Sequence, residues 1–81
     1  MTRHIGDVYL PNTNLRYYLL GNPKRGYCAK IVAYRTEKAC GIVSKDYRTA
    51  EAFVRKLHRN IVFPGNLAEH LVDFKFSNHS Y

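Results

Sequence analysis

The feature that most constrains this chain is a stripe of apolar side chains spaced for one face of a helix. Ala50, Phe53, Val54, Leu57 and Ile61 fall at i, i+3, i+4, i+7 and i+11, the recurrence of a 3.6-residue turn. Glu51, Arg55, Lys56 and Arg59 occupy the other side. Thr49 is the expected N-cap, because a hydroxyl there accepts from a free backbone N–H of the first turn. Glu51 would then lie in that first turn, where negative charge suits the helix dipole. Such a stripe needs an apolar surface to lie on, and the residues before it supply one.

Residues 27–34 are rich in β-branched and aromatic types and residues 39–45 run back beside them, with a polar turn over 35–38. Setting Tyr34 opposite Ala39 puts Ile31 opposite Ile42 and Ala33 opposite Cys40. Side chains alternate with period two, so this register gathers Ala29, Ile31, Ala33, Cys40 and Ile42 on one small apolar face. The other face carries Lys30, Tyr34, Gly41 and Lys45, with Val32 and Val43 among them, and is expected to be wet. Burying the stripe on the small-residue face makes a two-layer unit.

The flanks are shorter elements. Residues 7–10 read as a short strand after a loose or edge segment over 1–6. Residues 11–14, Pro-Asn-Thr-Asn, are turn chemistry, and 15–20 are a fuller strand. Residues 21–26 form a loop with glycine at both ends and Lys24 and Arg25 at its tip. After the main helix, Pro64-Gly65 is a break. Asn66 and Glu69 have capping-box spacing, which predicts a short helix over 67–72. Residues 73–76 alternate like a last edge strand, and 77–81 are a polar tail. The expected fold class is α+β: an antiparallel sheet of three or four strands, one main helix packed on one face and a short second helix. All 81 residues are expected to form one domain.

Charge narrows the function. Thirteen Lys and Arg against six Asp and Glu leave a net charge of +7, a strong field for so small a body. It favours polyanions. Seven Tyr and four Phe add contact-forming rings. No apolar run is long enough to span a bilayer and the first residues lack the apolar segment of a signal peptide, so a cytoplasmic protein without a membrane partner is expected. Cys28 and Cys40 fall on opposite faces in the register above, so both are expected as free thiols.

No catalytic constellation stands out. His4, His58, His70 and His79 are scattered, no pair has metal-ligand spacing, and there is no C-x-x-C. The acids are few for paired acid–base work. The expectation is a non-enzyme with no metal or cofactor; a nuclease would need a base such as His58 or His70. The cations are the informative set. Lys24 and Arg25 lie on a loop tip, Lys30, Lys45 and Tyr34 on the wet sheet face, Arg35 and Lys38 beside a turn. Arg48, Arg55, Lys56 and Arg59 lie on the outer helix. A sheet face of this kind can enter a major groove with loop-tip cations on flanking phosphates. The candidate binding residues are therefore Lys24, Arg25, Lys30, Tyr34, Arg35, Lys45, Arg55, Lys56 and Arg59. The expected partner is nucleic acid, double-stranded DNA first, or a nucleic-acid-handling complex.

The run from Tyr17 to Leu57, with three strands, the segment Lys45-Asp46-Tyr47-Arg48-Thr49-Ala50-Glu51-Ala52-Phe53 and a helix, resembles the arm-type DNA-binding domains of phage integrases. It also resembles plant ethylene-response-factor domains. Both resemblances imply a sheet in the major groove and nominate Lys24, Arg25, Lys30, Tyr34 and Lys45 for DNA contact. The chain departs from them in its first strand, its second helix and its lack of Trp. The order of elements over nearly the whole chain is also similar to that of small phage anti-CRISPR proteins. That likeness implies a phage or mobile-element protein that inhibits a bacterial effector complex by blocking its nucleic-acid binding or cleavage.

Overall fold

The chain, described by a computed structural model, runs β1 (Thr2–Tyr9), β2 (Asn14–Asn22), β3 (Gly26–Ala33), β4 (Glu37–Ser44), α1 (Tyr47–Arg59), a 3-10 turn (Pro64–Asn66) and α2 (Leu67–Asn78). The structure describes residues 1–35 and 37–78; Thr36 of the expected 35–38 turn, and residues 79–81 of the expected polar tail with His79, lie outside the described residues. The four strands form one antiparallel sheet in chain order. This is the expected α+β class, with four strands.

Alternation sorts the sheet into two faces. Leu15, Tyr17 and Leu19 of β2 and Ala29, Ile31 and Ala33 of β3 are buried. The α1 stripe lies on them, with Ala50, Phe53, Val54 and Leu57 buried in turn. Tyr17 is fully buried, and its hydroxyl donates to the Val62 carbonyl at 2.9 Å. That bond satisfies the hydroxyl of this fully buried side chain. Burial pushes the Tyr17 phenol up to about 12.

Several local expectations need correction. The N-cap of α1 is Asp46, whose carboxylate accepts from the Thr49 backbone N–H at 2.9 Å and from its hydroxyl at 2.6 Å. A carboxylate in the cap outcompetes the hydroxyl because it takes both bonds at once. The helix therefore starts at Tyr47, and Glu51 lies beyond the first turn. Ile61 is outside the helix, at φ 53° and 45% exposed. The chain reverses there, so the buried stripe ends at Leu57.

The register of β3 on β4 also differs. Ile31 pairs with Ala39, Lys30 with Cys40 and Ala33 with Glu37. The connection is residues 34–36, one shorter than expected, with Arg35 at φ 63°. A three-residue hairpin loop with a left-handed residue is a common closure. The slip is odd-numbered, so it turns β4 over. Ala39, Gly41 and Val43 face the core, while Cys40 and Ile42 face outward; a bulge falls between Tyr27 and Cys28, at the far end of the pairing. Cys28 and Cys40 thus share the outer face, and both are free thiols. Burial is the main reason the Cys28 thiol is raised, and Cys40 beside it adds to the shift.

The expected strand over 73–76 is helix. Leu67, His70, Leu71 and Phe74 fall at i, i+3, i+4 and i+7, so α2 continues to Asn78. The Phe74 ring meets Phe53 at 5.0 Å between centroids, which fastens α2 to α1. On the other side Leu71 lies directly over Gly41, where any Cβ would collide with its side chain. Glycine at 41 is what lets α2 approach β4. At the opposite end of the chain β1 is longer than expected and begins at Thr2. It is held from α1 by Arg3, which bonds the Tyr47 hydroxyl and pairs with Glu51 at 2.5 Å.

Candidate nucleic-acid interface

Neither helix covers the second face of the sheet, and the strand register sets out what it carries. One cross-strand row is His4, Tyr18, Lys30 and Cys40. The next is Asp7, Arg16, Val32 and Lys38. Beyond it Tyr9 pairs with Asn14, whose carbonyl accepts the Tyr34 N–H at 2.9 Å. On the other side lies Thr2, Leu20, Cys28 and Ile42. Successive rows are about 7 Å apart, two residues along each strand.

Cations and rings are interleaved on this surface. Arg16 and Lys38 are exposed, and Lys30 is half-buried between its neighbours. Tyr34 is 57% exposed and Tyr9 74% exposed, far more than a ring engaged in a core. The Arg35 guanidinium lies 5.1 Å from the centre of the Tyr34 ring, in cation–π range. The Tyr18 hydroxyl beside Arg16 raises that guanidinium further above its usual value. Two hollows open side by side. One, about 470 Å³, is lined by Asn14, Arg16, Tyr18, Val32 and Tyr34. The other, about 390 Å³, is lined by Leu20, Lys30, Lys38, Ala39 and Cys40.

The acid on this face is engaged. His4 Nε2 donates to the Asp7 carboxylate at 2.6 Å and the Tyr9 hydroxyl reaches its other oxygen at 3.4 Å. The His4 bond holds the Asp7 carboxyl below the usual carboxylate range. Elsewhere Glu51 takes Arg3 and Arg55, the latter at 3.1 Å, and its carboxyl is lowered chiefly by Arg55. Asp46 is spent on its cap and lowered by it.

The expected binding residues divide between places. Lys30 is central on the open face. Tyr34 and Arg35 are at one end of β3; Lys24 and Arg25, on the β2–β3 connection, are at the other. The eight residues of β3 span roughly 26 Å between them. Lys45 follows β4 beside Gly26, at the Lys24 end. Arg55, Lys56 and Arg59 are exposed on α1, in the other layer, and Arg55 is tied to Glu51. Tyr9, Arg16, Tyr18 and Lys38 share the open face but are not among the expected binding residues; Lys38 is read from the sequence only as a cation beside a turn. The signal for the β2 pair is the alternation Leu15, Tyr17, Leu19 against Arg16, Tyr18, Leu20.

The histidines named as candidate bases do not meet. His58 donates through Nε2 to the Asp7 carbonyl at 3.0 Å and lies 5.3 Å from the Tyr17 ring. His70 lines a separate groove of about 620 Å³ between α1 and α2, with Phe53, Leu57 and Phe74. Among the described residues no three His, Cys, Asp or Glu side chains gather as a metal site requires, and no helix is long and apolar enough to cross a membrane. No family model, no curated protein and no solved structure matches this chain.

Proposed function

We propose that this chain is a non-enzymatic binding protein that engages nucleic acid, or a complex carrying it, through the outer face of its sheet. The observation that carries the reading is the placement of Arg16, Lys30 and Lys38 among Tyr9, Tyr18 and Tyr34 on a face no helix covers. Phosphates release condensed counterions when cations neutralise them, so affinity should fall steeply with salt. The test is fluorescence anisotropy with labelled oligonucleotides at two salt concentrations. Lys30→Ala and Lys38→Ala should each reduce the log–log salt slope by about one, whereas Lys56→Ala on the helix layer should leave it unchanged. Salt-indifferent binding, or none, removes the reading.

A second reading is an inhibitor of a nucleic-acid-handling protein complex. It is favoured by Val72 and Phe76, which stand 64% and 76% exposed on α2; large apolar side chains so placed suit a protein partner. An inhibitor of this kind would co-purify with a defined complex and ignore free oligonucleotides.

A further inference from the structure

Resting on the nucleic-acid reading, we infer that the ligand is single-stranded, with unpaired bases stacked on Tyr34 and Tyr18 on either side of the Arg16–Val32 pair. The hollow that these two residues line also takes in Val32, Arg16 and Asn14. The rings and the apolar Val32 side chain suit the flat faces of bases. Asn14 offers an amide to a base edge, and Arg16 offers a cation to the phosphate. The neighbouring hollow repeats the pairing of apolar surface and charge, lined by Leu20 and Cys40 together with Lys30 and Lys38. A backbone running across the strands from one hollow to the next would meet a cation in each.

A duplex cannot use this arrangement. Its base faces are covered by their neighbours, and only base edges show in the grooves. Its bases repeat every 3.4 Å along each strand, whereas the side-chain rows here repeat about every 7 Å. Rings on alternate rows can stack only on bases that have been spread apart. Open sheets with exposed aromatic rings read single strands in this way.

The experiment compares labelled oligo(dT), oligo(U) and a mixed-sequence duplex of the same length by anisotropy at low salt. Either single strand should bind at least about 10-fold more tightly than the duplex, and the tighter of the two identifies the sugar. Tyr34→Ala should weaken single-strand binding by about 10-fold, the effect of losing one stacked base, and leave the weak duplex binding unchanged. Tyr34→Phe, which keeps the ring, should bind as the parent does. Tyr34 is on the surface, so circular dichroism should show both variants folded. Duplex affinity equal to single-strand affinity, or single-strand binding indifferent to Tyr34→Ala and Tyr18→Ala, overturns this inference and leaves the nucleic-acid reading standing. No binding to any of the three removes both.

Discussion

The Tyr17 hydroxyl and the Val62 carbonyl form a hydrogen bond across the whole core, from the middle of the sheet to the chain leaving α1. Its two ends are 45 residues apart in sequence. Tyr17→Phe keeps the ring and leaves the carbonyl without its donor. The expected cost is about 1–3 kcal/mol, the desolvation penalty of an unpaired buried group. Urea unfolding should show a lower midpoint with an unchanged m-value.

A methyl group at position 41 would stand where Leu71 now lies. Gly41→Ala should therefore destabilise by about 1–3 kcal/mol through overpacking. Leu71→Ala alone should also destabilise, by loss of packing. The double variant should recover part of the Gly41→Ala loss, because the two side chains share one space. A strictly additive double-mutant cycle would mean that α2 does not sit on β4 as described.

The end of the α1 stripe can be tested by a pair of substitutions. Leu57 is buried and Ile61 is exposed at positive φ. Leu57→Ala should cost about 2–5 kcal/mol. Ile61→Gly should stabilise by about 0.5–1 kcal/mol, since a β-branched residue is strained in the left-handed region and glycine is not. If Ile61→Gly costs as much as Leu57→Ala, the helix continues through 61.

Acid should unfold the protein through particular carboxylates. Asp7, Asp46 and Glu51 are each lowered from the ordinary values of 3.8, 3.8 and 4.5. A lowered folded value means the unfolded chain binds the proton more tightly. The stabilisation is therefore complete above those ordinary values and is lost as pH falls through the lower folded ones. Thermal midpoints should decline as pH falls below about 4.5. Asp46→Asn, which still accepts from the Thr49 N–H but carries no charge, should make that decline shallower.

Legibility in the sequence followed the strength of local periodicity. The α1 stripe and the inner alternation of β3 could be read because each repeats over several turns or pairs. The face of β4 could not, since it depends on one loop residue: moving the pairing from Tyr34–Ala39 to Ala33–Glu37 exchanges Cys40 and Ile42 for Ala39 and Gly41. The Asp73–Phe76 stretch misled for a similar reason. Four residues of alternation resemble a strand, and only the longer spacing from Leu67 through Leu71 to Phe74 reveals the helix. On the open face of the sheet, Lys30 and Tyr34 were visible as outward residues of the stretch 27–34. Arg16 and Tyr18 came into view only when the pairing of β2 with β3 placed them in the same rows.

Because each strand lies beside its predecessor, every sheet contact closes a hairpin between neighbours in the chain. Among the described residues, the side-chain hydrogen bonds of longest reach are Arg3 to Glu51 and His58 to Asp7, separated by 48 and 51 residues. These bring the first strand onto the helix, after a meander that can zip up locally. Short-range closure favours rapid folding, and the entropy of the two long loops falls on the final docking step. The refolding rate should thus be most sensitive to the link between the chain's first strand and its first helix, while the meander itself sets little of the barrier.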